Sequence, residues 1–348
     1  MSAAKTDGEA AAPEPEAPAA AAPAPPRRRP LRTFAHLADL PRKPTRYDVA
    51  TTALDFHRGG AFALELPLSA WNRQYRAGSP LQSGVWEAFA DPRQTDYTAY
   101  VRLQQAQEAH VDGVLRSIEE SNYDRDQPAA AHALFERLVT PLRFACHGLQ
   151  MVAAYVGQMA PQSRIVIAAL LQAADETRRI QRIAYRMAQI RLARPDFGAR
   201  SLAIWQDDPV WQPLRELVER LLTTYDWGEA MVALNVCAKP VLDDLFMVQL
   251  PIAARERGDF LLGQITSSLA RDCEWHRQWT AALLALALPG TESVRSAVEG
   301  WVDAWWPRTA RAATAFRGAL GPDGGALVEA SQNRGLAFLD QLGLRRPA

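Results

Sequence analysis

The chain has 348 residues and a formal net charge of zero, because 39 lysines and arginines balance 39 aspartates and glutamates. That balance excludes a generally basic nucleic-acid-binding protein. The longest apolar run beyond the first 30 residues, Ala281 to Leu288, is far short of the ~20 residues of a transmembrane helix, so no membrane span is expected. Three scattered cysteines without CxxC or CxxxC spacing argue against a disulfide framework or a zinc ribbon and favour a reducing cytoplasm.

Residues 1–30 differ in composition from the rest of the chain. They contain eleven alanines and seven prolines and end with the basic run Arg27 to Arg29 before Pro30. Alanine buries too little apolar area to offset the entropy lost on ordering, so this tail is expected to be disordered. It does not resemble a secretory signal, because the basic residues follow the apolar stretch and prolines interrupt that stretch.

Residues 31–95 combine many prolines and glycines with large aromatic side chains. The prolines and glycines interrupt each helical period early, so we expect an ordered but irregular segment. Its aromatic residues must be buried against either this chain's helices or another subunit, and large aromatics are the usual anchors of interfaces. We interpret the segment as a structural wrap around a partner subunit, with Trp71, Tyr75, Trp86 and Phe89 as candidate anchors.

From residue 96 to residue 348 the apolar side chains follow a helical period, and no β-alternation of useful length occurs. Prolines, glycines and capping residues divide this region into helices. The predicted helices are Tyr97 to Glu120, 130–159 with a kink or break at Pro141, 163–193, a short helix to Leu222, 227–256 with kinks at Pro240 and Pro251, 259–288, 293–320 with a break at Pro307, and a short helix from Ala326. The predicted fold class is all-α.

The four longest helices pair as two antiparallel hairpins with a crossover of about thirty residues between them. This order predicts a ferritin-like helical bundle, whose core commonly holds a carboxylate-bridged di-iron site. Such a site needs Glu-x-x-His on two helices, and the sequence contains no such motif. Glu176 is followed at i+3 by Arg179, which cannot ligate a metal, and Cys273 is followed at i+3 by His276, an unusual pair for an oxygen-rich site.

Two kinds of function stay open at this point. An unconventional site of Glu176, Cys273 and His276 would make the chain a ferritin-like metal-binding protein in its own right. Without metal, the bundle would instead be structural. The motifs GxSxG, GxGxxG, GxxxxGK[ST] and HExxH are absent, so hydrolase-elbow, dinucleotide, P-loop and zincin functions have no support.

Five long stretches carry a resemblance to a known family. They are RTFAHL (32–37), WNRQYRAGSPLQSGVWEAFADP (71–92), QEAHVDGVL (107–115), PLRFACHGLQMVAAYVGQMAP (141–161) and QAADETRRIQRIAYR (172–186). Through them, residues 32–290 resemble the β subunit of the hydroxylase component of bacterial multicomponent (soluble di-iron) monooxygenases, in the toluene and alkene (isoprene, propene) branch. The phenol and methane branches look less similar around residues 71–92.

The resemblance implies an (αβγ)2 hydroxylase in which α and β share the ferritin-like fold. Only α would hold the di-iron centre, so this chain would carry no cofactor. The resemblance also implies effector, ferredoxin and reductase components, with O2 and NADH-derived electrons used to oxygenate a small aromatic or alkene hydrocarbon. The expected function is therefore that of a non-catalytic structural β subunit, enzymatic only as part of the complex.

The same resemblance assigns positions in this chain that match the metal ligands of α. These positions are His147, Glu176, Arg179, Lys239, Cys273 and His276. Only Glu176 and His276 keep the ligand type expected at their positions, and Arg179 and Lys239 would place two cations where metal ions would lie. Buried charges must be paired, so Asp175, Asp243, Asp244 and Asp272 are further candidate partners, and we expect a metal-free bundle.

Overall fold

Every regular element in the part of the chain that the structure describes is a helix. The structure is a computed structural model and describes residues 34–54, 67–119 and 121–347. The predicted all-α class is confirmed. None of the helices in these residues is both long enough and apolar enough to cross a membrane.

Two units divide the chain near residue 42. The described part of the first unit, residues 34–42, contains one 3-10 turn, Ala35–Leu37. The second unit begins at Lys43 and contains all of the longer helices. The predicted disordered tail, residues 1–30, lies outside the described residues.

The described residues of the second unit form seven longer helical stretches and several short helices. The long helices are Tyr97–Glu119, Leu142–Met159, Ser163–Ala193, Leu261–Ala287, Glu292–Thr314 and Gly324–Gln341, together with a continuous stretch over residues 227–256. The shorter helices are Arg46–Thr51, Pro67–Asn72, Tyr123–Asp126, Ala129–Leu134, Ser201–Asp207 and Gln212–Leu222. The segment 31–95 therefore contains short helices, which the frequency of proline and glycine did not predict.

The prolines of residues 227–256 are accommodated without breaking the helix. Two π-helical turns, Ala233–Ala238 and Leu245–Gln249, each precede an α-helical segment that has its proline in the first turn. The first turn tolerates proline because its N–H groups need no intrahelical partner. The predicted kinks at Pro240 and Pro251 are thus local changes of helical period.

The predicted break at Pro307 is wrong. Pro307 lies inside the continuous helix Glu292–Thr314. The side chains of Trp305, Trp306 and Thr309 are buried on either side of it. Packing on both sides holds the helix together although proline removes one backbone donor.

Four long helical stretches form the bundle that the sequence predicted. Helix Leu142–Met159 packs along helix Ser163–Ala193, which also contacts helix Leu261–Ala287. Gly258, with a φ of +91°, turns the chain between residues 227–256 and helix Leu261–Ala287. Asp259 Oδ1 then accepts hydrogen bonds from the first two backbone N–H groups of that helix, at 3.0 and 3.1 Å. The middle of this bundle is where a ferritin-like protein would hold metal.

Candidate functional site: a buried charge cluster

Four charged side chains meet in the middle of the bundle. Glu176 and Arg179 lie three residues apart on helix Ser163–Ala193, and Lys239 and Asp243 lie four residues apart on the facing helix. Each of the four is at most 4% exposed. Residues at i+3 and i+4 share one face of a helix, so each helix presents one cation and one anion to the other. We call these four residues the charge cluster.

Hydrogen bonds connect every cation of the charge cluster to both anions. Arg179 Nη1 donates to Glu176 Oε2 at 2.9 Å and to Asp243 Oδ1 at 2.8 Å. Lys239 Nζ donates to Glu176 Oε1 and, at 3.1 Å, to Asp243 Oδ1. The cluster is therefore electrically neutral, which offsets much of the cost of burying four charges.

The pKa values of the charge cluster fit this pairing. Burial raises the pKa of Asp243, but Arg179 and Lys239 outweigh burial and lower it to about 2. Burial lowers the pKa of Arg179 and Lys239, but the neighbouring anions outweigh it and raise both above their ordinary values. All three groups are therefore charged across the physiological pH range.

Two cysteines adjoin the charge cluster. Arg179 Nη2 donates to Cys273 Sγ at 2.8 Å, and Cys273 Sγ is itself 3.2 Å from the carbonyl oxygen of Leu269, to which its thiol donates. Burial raises the pKa of Cys273 well above its ordinary value, and burial with Glu176 raises that of Cys146 to about 12. Both residues are therefore neutral thiols in the metal-free bundle.

A second polar network lies beside the charge cluster. Asp175 accepts hydrogen bonds from Tyr100 and Gln104 at 2.8 Å and lies 2.9 Å from His276 Nε2. Burial, with Lys239 and Arg179, lowers the pKa of His276 well below its ordinary value. His276 Nδ1 is buried without a partner among the described residues. His276 is therefore a neutral ring that bonds to Asp175 through Nε2, and burial raises the pKa of Asp175 well above its ordinary value.

The donor set of this region does not fit a di-iron centre. Lysine and arginine side chains have no lone pair for a metal, and here they occupy the space between the two carboxylates. Glu176 and Asp243 are already neutralised by those cations. Within residues 34–54, 67–119 and 121–347, no group of three or more His, Cys, Asp and Glu side chains is arranged to hold a metal ion.

The structure brings together most of the residues that the sequence singled out. Glu176, Arg179, Lys239 and Cys273 meet directly, and His276 bonds to Asp175 at the edge of the group. Among the candidate further partners, Asp243 joins the charge cluster, while Asp244 pairs with Arg334 at 3.6 Å and Asp272 pairs with Arg178. The signal for Asp243 was its i+4 spacing from Lys239.

The expectation for His147 does not hold. His147 is exposed, whereas its neighbour Cys146 is buried and close enough to the cluster for Glu176 to affect its pKa. One residue rotates a side chain by about 100° around a helix, so an error of one position moves it from core to surface. Helix Leu142–Met159 has no i+3 motif that would have set the register.

The four aromatic residues proposed as partner anchors separate into two pairs. Trp86 and Phe89 are buried in this chain's own core, with Trp86 in an edge-to-face contact with Trp227 at 5.8 Å. Trp71 and Tyr75 are only half-buried and pack with Tyr225. Trp86 and Phe89 are thus unavailable to a partner in this structure, and the interface hypothesis is limited to Trp71 and Tyr75.

Comparisons with known proteins agree with this fold. Residues 71–289 match the family described as Methane/Phenol/Alkene Hydroxylase. The chain is 36% identical to the toluene-4-monooxygenase system hydroxylase component subunit beta of Ectopseudomonas mendocina, over 85% of this chain and 92% of that protein. It is 24% identical to the phenol 2-monooxygenase oxygenase component DmpL of Pseudomonas sp. (strain CF600), over 68% of this chain and 73% of that protein.

Two solved structures show the same architecture. Toluene 4-monooxygenase with toluene bound in its resting active site superposes with a TM-score of 0.79 at 36% identity, over 84% of this chain and 98% of the matched chain. Xenon-pressurised phenol hydroxylase from Pseudomonas sp. OX1 also has a TM-score of 0.79, at 21% identity over 90% of this chain and 93% of the matched chain. The second likeness is one of fold alone.

Proposed function

This chain belongs to the methane/phenol/alkene hydroxylase family and is a subunit of a multicomponent monooxygenase, and we propose that it is the metal-free β subunit of the hydroxylase. The enzyme would oxygenate a small aromatic or alkene hydrocarbon with O2 and NADH-derived electrons. The di-iron centre would belong to a partner α subunit. Assembly would be (αβγ)2, served by effector, ferredoxin and reductase components in the cytoplasm.

The observation that carries this proposal is the charge cluster in a chain otherwise similar to a β subunit along nearly its whole length. Arg179 and Lys239 occupy the space between the two carboxylates and neutralise them, so metal ions there would lack both room and free ligands. The cluster also joins two helices of the bundle through two hydrogen bonds, one from Arg179 to Asp243 and one from Lys239 to Glu176. Its role would be to hold these two helices in place within a structural subunit.

A scaffold of this kind contributes to catalysis indirectly. Metal ligands in a partner must be held within fractions of an ångström of their working positions, and rigid neighbouring elements provide that support. The described core of this chain is extensive and includes the fully buried indoles of Trp211, Trp227 and Trp279. We propose that this rigid body supports α, without contributing a group to the reaction.

Iron analysis tests the proposal. The isolated chain, purified from iron-supplemented cells, is expected to contain only trace iron. Hydroxylase assembled with Glu176→Gln is expected to contain as much iron per complex as hydroxylase with the unaltered chain, because Glu176 is bonded to cations. Stoichiometric iron in the isolated chain, lost on Glu176→Gln, would support the alternative of a metal site built from Glu176, Cys273 and His276, which the comparisons do not favour.

A further inference from the structure

The longest helix of the bundle, Ser163–Ala193, has most of its charged side chains on the inside. From Ile165 to Ile190 it carries six charged residues, and all six are buried: Asp175, Glu176, Arg178, Arg179, Arg182 and Arg186. Its side chains that are not buried over the same stretch are uncharged. A helix that faces water normally shows the opposite arrangement.

Each buried arginine of this helix outside the charge cluster pairs with carboxylates of neighbouring helices. Arg178 pairs with Glu108 and Asp272, Arg182 pairs with Glu108 and Asp112, and Arg186 pairs with Asp124. Helix Tyr97–Glu119 and the short helix Tyr123–Asp126 supply most of these acids. The exposed face of helix Ser163–Ala193 therefore needs no charged partner to balance its interior.

The uncharged face has the spacing of a coiled-coil seam. Seven residues that are not buried follow one another at steps of three and four: Ile167, Leu170, Ala174, Thr177, Gln181, Ala184 and Ala188. Alternating steps of three and four give a period of 3.5, the pattern of a strip that another helix covers. We call these seven residues the seam. It is about 32 Å long, since each residue adds about 1.5 Å.

The chemistry of the seam specifies what covers it. Alanines at four-residue spacing let a second helix approach closely, and Ile167 and Leu170 supply larger apolar contacts at one end. A charge-free strip is typical of the core of a lasting protein interface, which is depleted in charged residues. Outside the described residues, stretch 55–66 has only twelve residues and residues 1–33 contain seven prolines, so neither matches a seam of this length.

We infer that a helix of the hydroxylase α subunit packs along the seam. This inference rests on the proposed function and adds to it the surface by which the chain joins the complex. A seam one helix wide is a small part of the ~1,600 Å2 that a stable specific interface buries, so it belongs to a larger contact between subunits of one enzyme. The relatives are named as one subunit of a hydroxylase component, which favours a different chain over a second copy.

Charge substitution in the seam tests this inference. The full chain is co-expressed with the affinity-tagged α subunit from the same organism, and co-purification is quantified. Ala184→Glu/Ala188→Glu is expected to lower recovery of this chain by about tenfold or more, because two unpaired carboxylates would be buried. Gln181→Glu, which keeps the side-chain shape, is expected to lower it less.

The matched control is Ala326→Glu/Ala330→Glu. These alanines are also exposed and four residues apart, on helix Gly324–Gln341. The control is expected to co-purify like the unaltered chain. The circular dichroism spectra and thermal unfolding curves of all isolated variants are expected to match those of the unaltered chain, because each altered residue faces solvent.

Failure of the two proposals can be distinguished. If the unaltered chain does not co-purify with α, the proposed function fails. If the seam variants co-purify as well as the unaltered chain, the seam is not the α contact, and the proposed function stands. If sedimentation shows that the isolated chain dimerises and the seam variants do not, while co-purification is unchanged, a second copy covers the seam and the inference is wrong.

Discussion

At the scale of single residues, the charge cluster determines how the bundle core responds to substitution. Arg179→Met leaves Glu176 and Asp243 with Lys239 as their only cation, and an uncompensated buried charge costs about 3–5 kcal/mol of unfolding free energy. Glu176→Leu/Arg179→Met removes one charge of each sign and leaves Lys239 paired with Asp243 at 3.1 Å, so it is expected to cost much less. Chemical denaturation of the isolated chain measures both.

The control for this comparison is an exposed ion pair. Arg215 and Glu219 lie 2.8 Å apart with side chains 35% and 59% exposed. Arg215→Met is expected to change the unfolding free energy by no more than about 0.5 kcal/mol. If Arg179→Met were equally mild, the charge cluster would not be buried as described.

A second prediction at this scale concerns acid. The folded-state pKa of Asp243 is about 2, below its ordinary value of 3.8, so the ionised form is favoured in the folded protein. The stability that results is complete above about pH 4 and is lost as pH falls towards 2. At 1.36 kcal/mol per pKa unit, it amounts to roughly 2 kcal/mol.

Urea unfolding at a series of pH values between 2 and 5 measures this contribution. Asp243→Asn is expected to be less stable throughout and to lose stability less steeply below pH 4 than the unaltered chain. Glu329→Gln, at an exposed carboxylate, is expected to show the same slope of unfolding free energy against pH as the unaltered chain. Identical slopes for Asp243→Asn and the unaltered chain would show that Asp243 does not titrate in this range.

At the scale of elements, two glycines show how closely the helices pack. A Cβ atom on Gly148 would lie 2.2 Å from Val218 Cγ1, so Gly148→Ala requires a shift either of the Val218 side chain or of helix Leu142–Met159 relative to helix Gln212–Leu222. We expect it to destabilise the chain by about 1–3 kcal/mol. Gly113→Ala, in a helix where a Cβ atom meets nothing within 4 Å, is expected to stabilise it by about 0.5–1 kcal/mol.

If this packing is correct, thermal and chemical unfolding will show changes in unfolding free energy of opposite sign for the two glycine variants. The two substitutions add the same methyl group to long helices, so they differ only in surroundings. Stabilisation of equal size in both would mean that the contact at Gly148 is relieved at little cost and that the helices there are not closely packed.

At the scale of the whole molecule, the aromatic residues of segment 31–95 distinguish folding from assembly. Trp86→Ala or Phe89→Ala is expected to lower the unfolding free energy of the isolated chain by about 3–5 kcal/mol, because both side chains are core residues. Trp71→Ala and Tyr75→Ala are expected to cost less stability, since these side chains are half-buried. If Trp71 and Tyr75 anchor a partner, their variants should instead reduce co-purification with α.

Both measurements are needed on each aromatic variant. Tyr155→Phe is a useful control, because it removes the hydroxyl that accepts from Trp71 Nε1 at 3.0 Å while keeping the ring. Unchanged co-purification of the Trp71 and Tyr75 variants would contradict the anchor hypothesis and leave all four aromatic residues as part of this chain's own fold.

The sequence by itself determined the all-α class, most helix boundaries and the pairing of Glu176 with Arg179, because helical period, proline positions and i+3 spacing are local properties of the chain. Only the tertiary structure decided that Cys146 rather than His147 faces the core, that Pro307 does not break its helix, and that Trp86 and Phe89 pack onto this chain. It also showed that helix Ser163–Ala193 buries six of its eight charged side chains. These features depend on contacts between residues far apart in sequence, and packing of distant segments sets which face of a helix is buried.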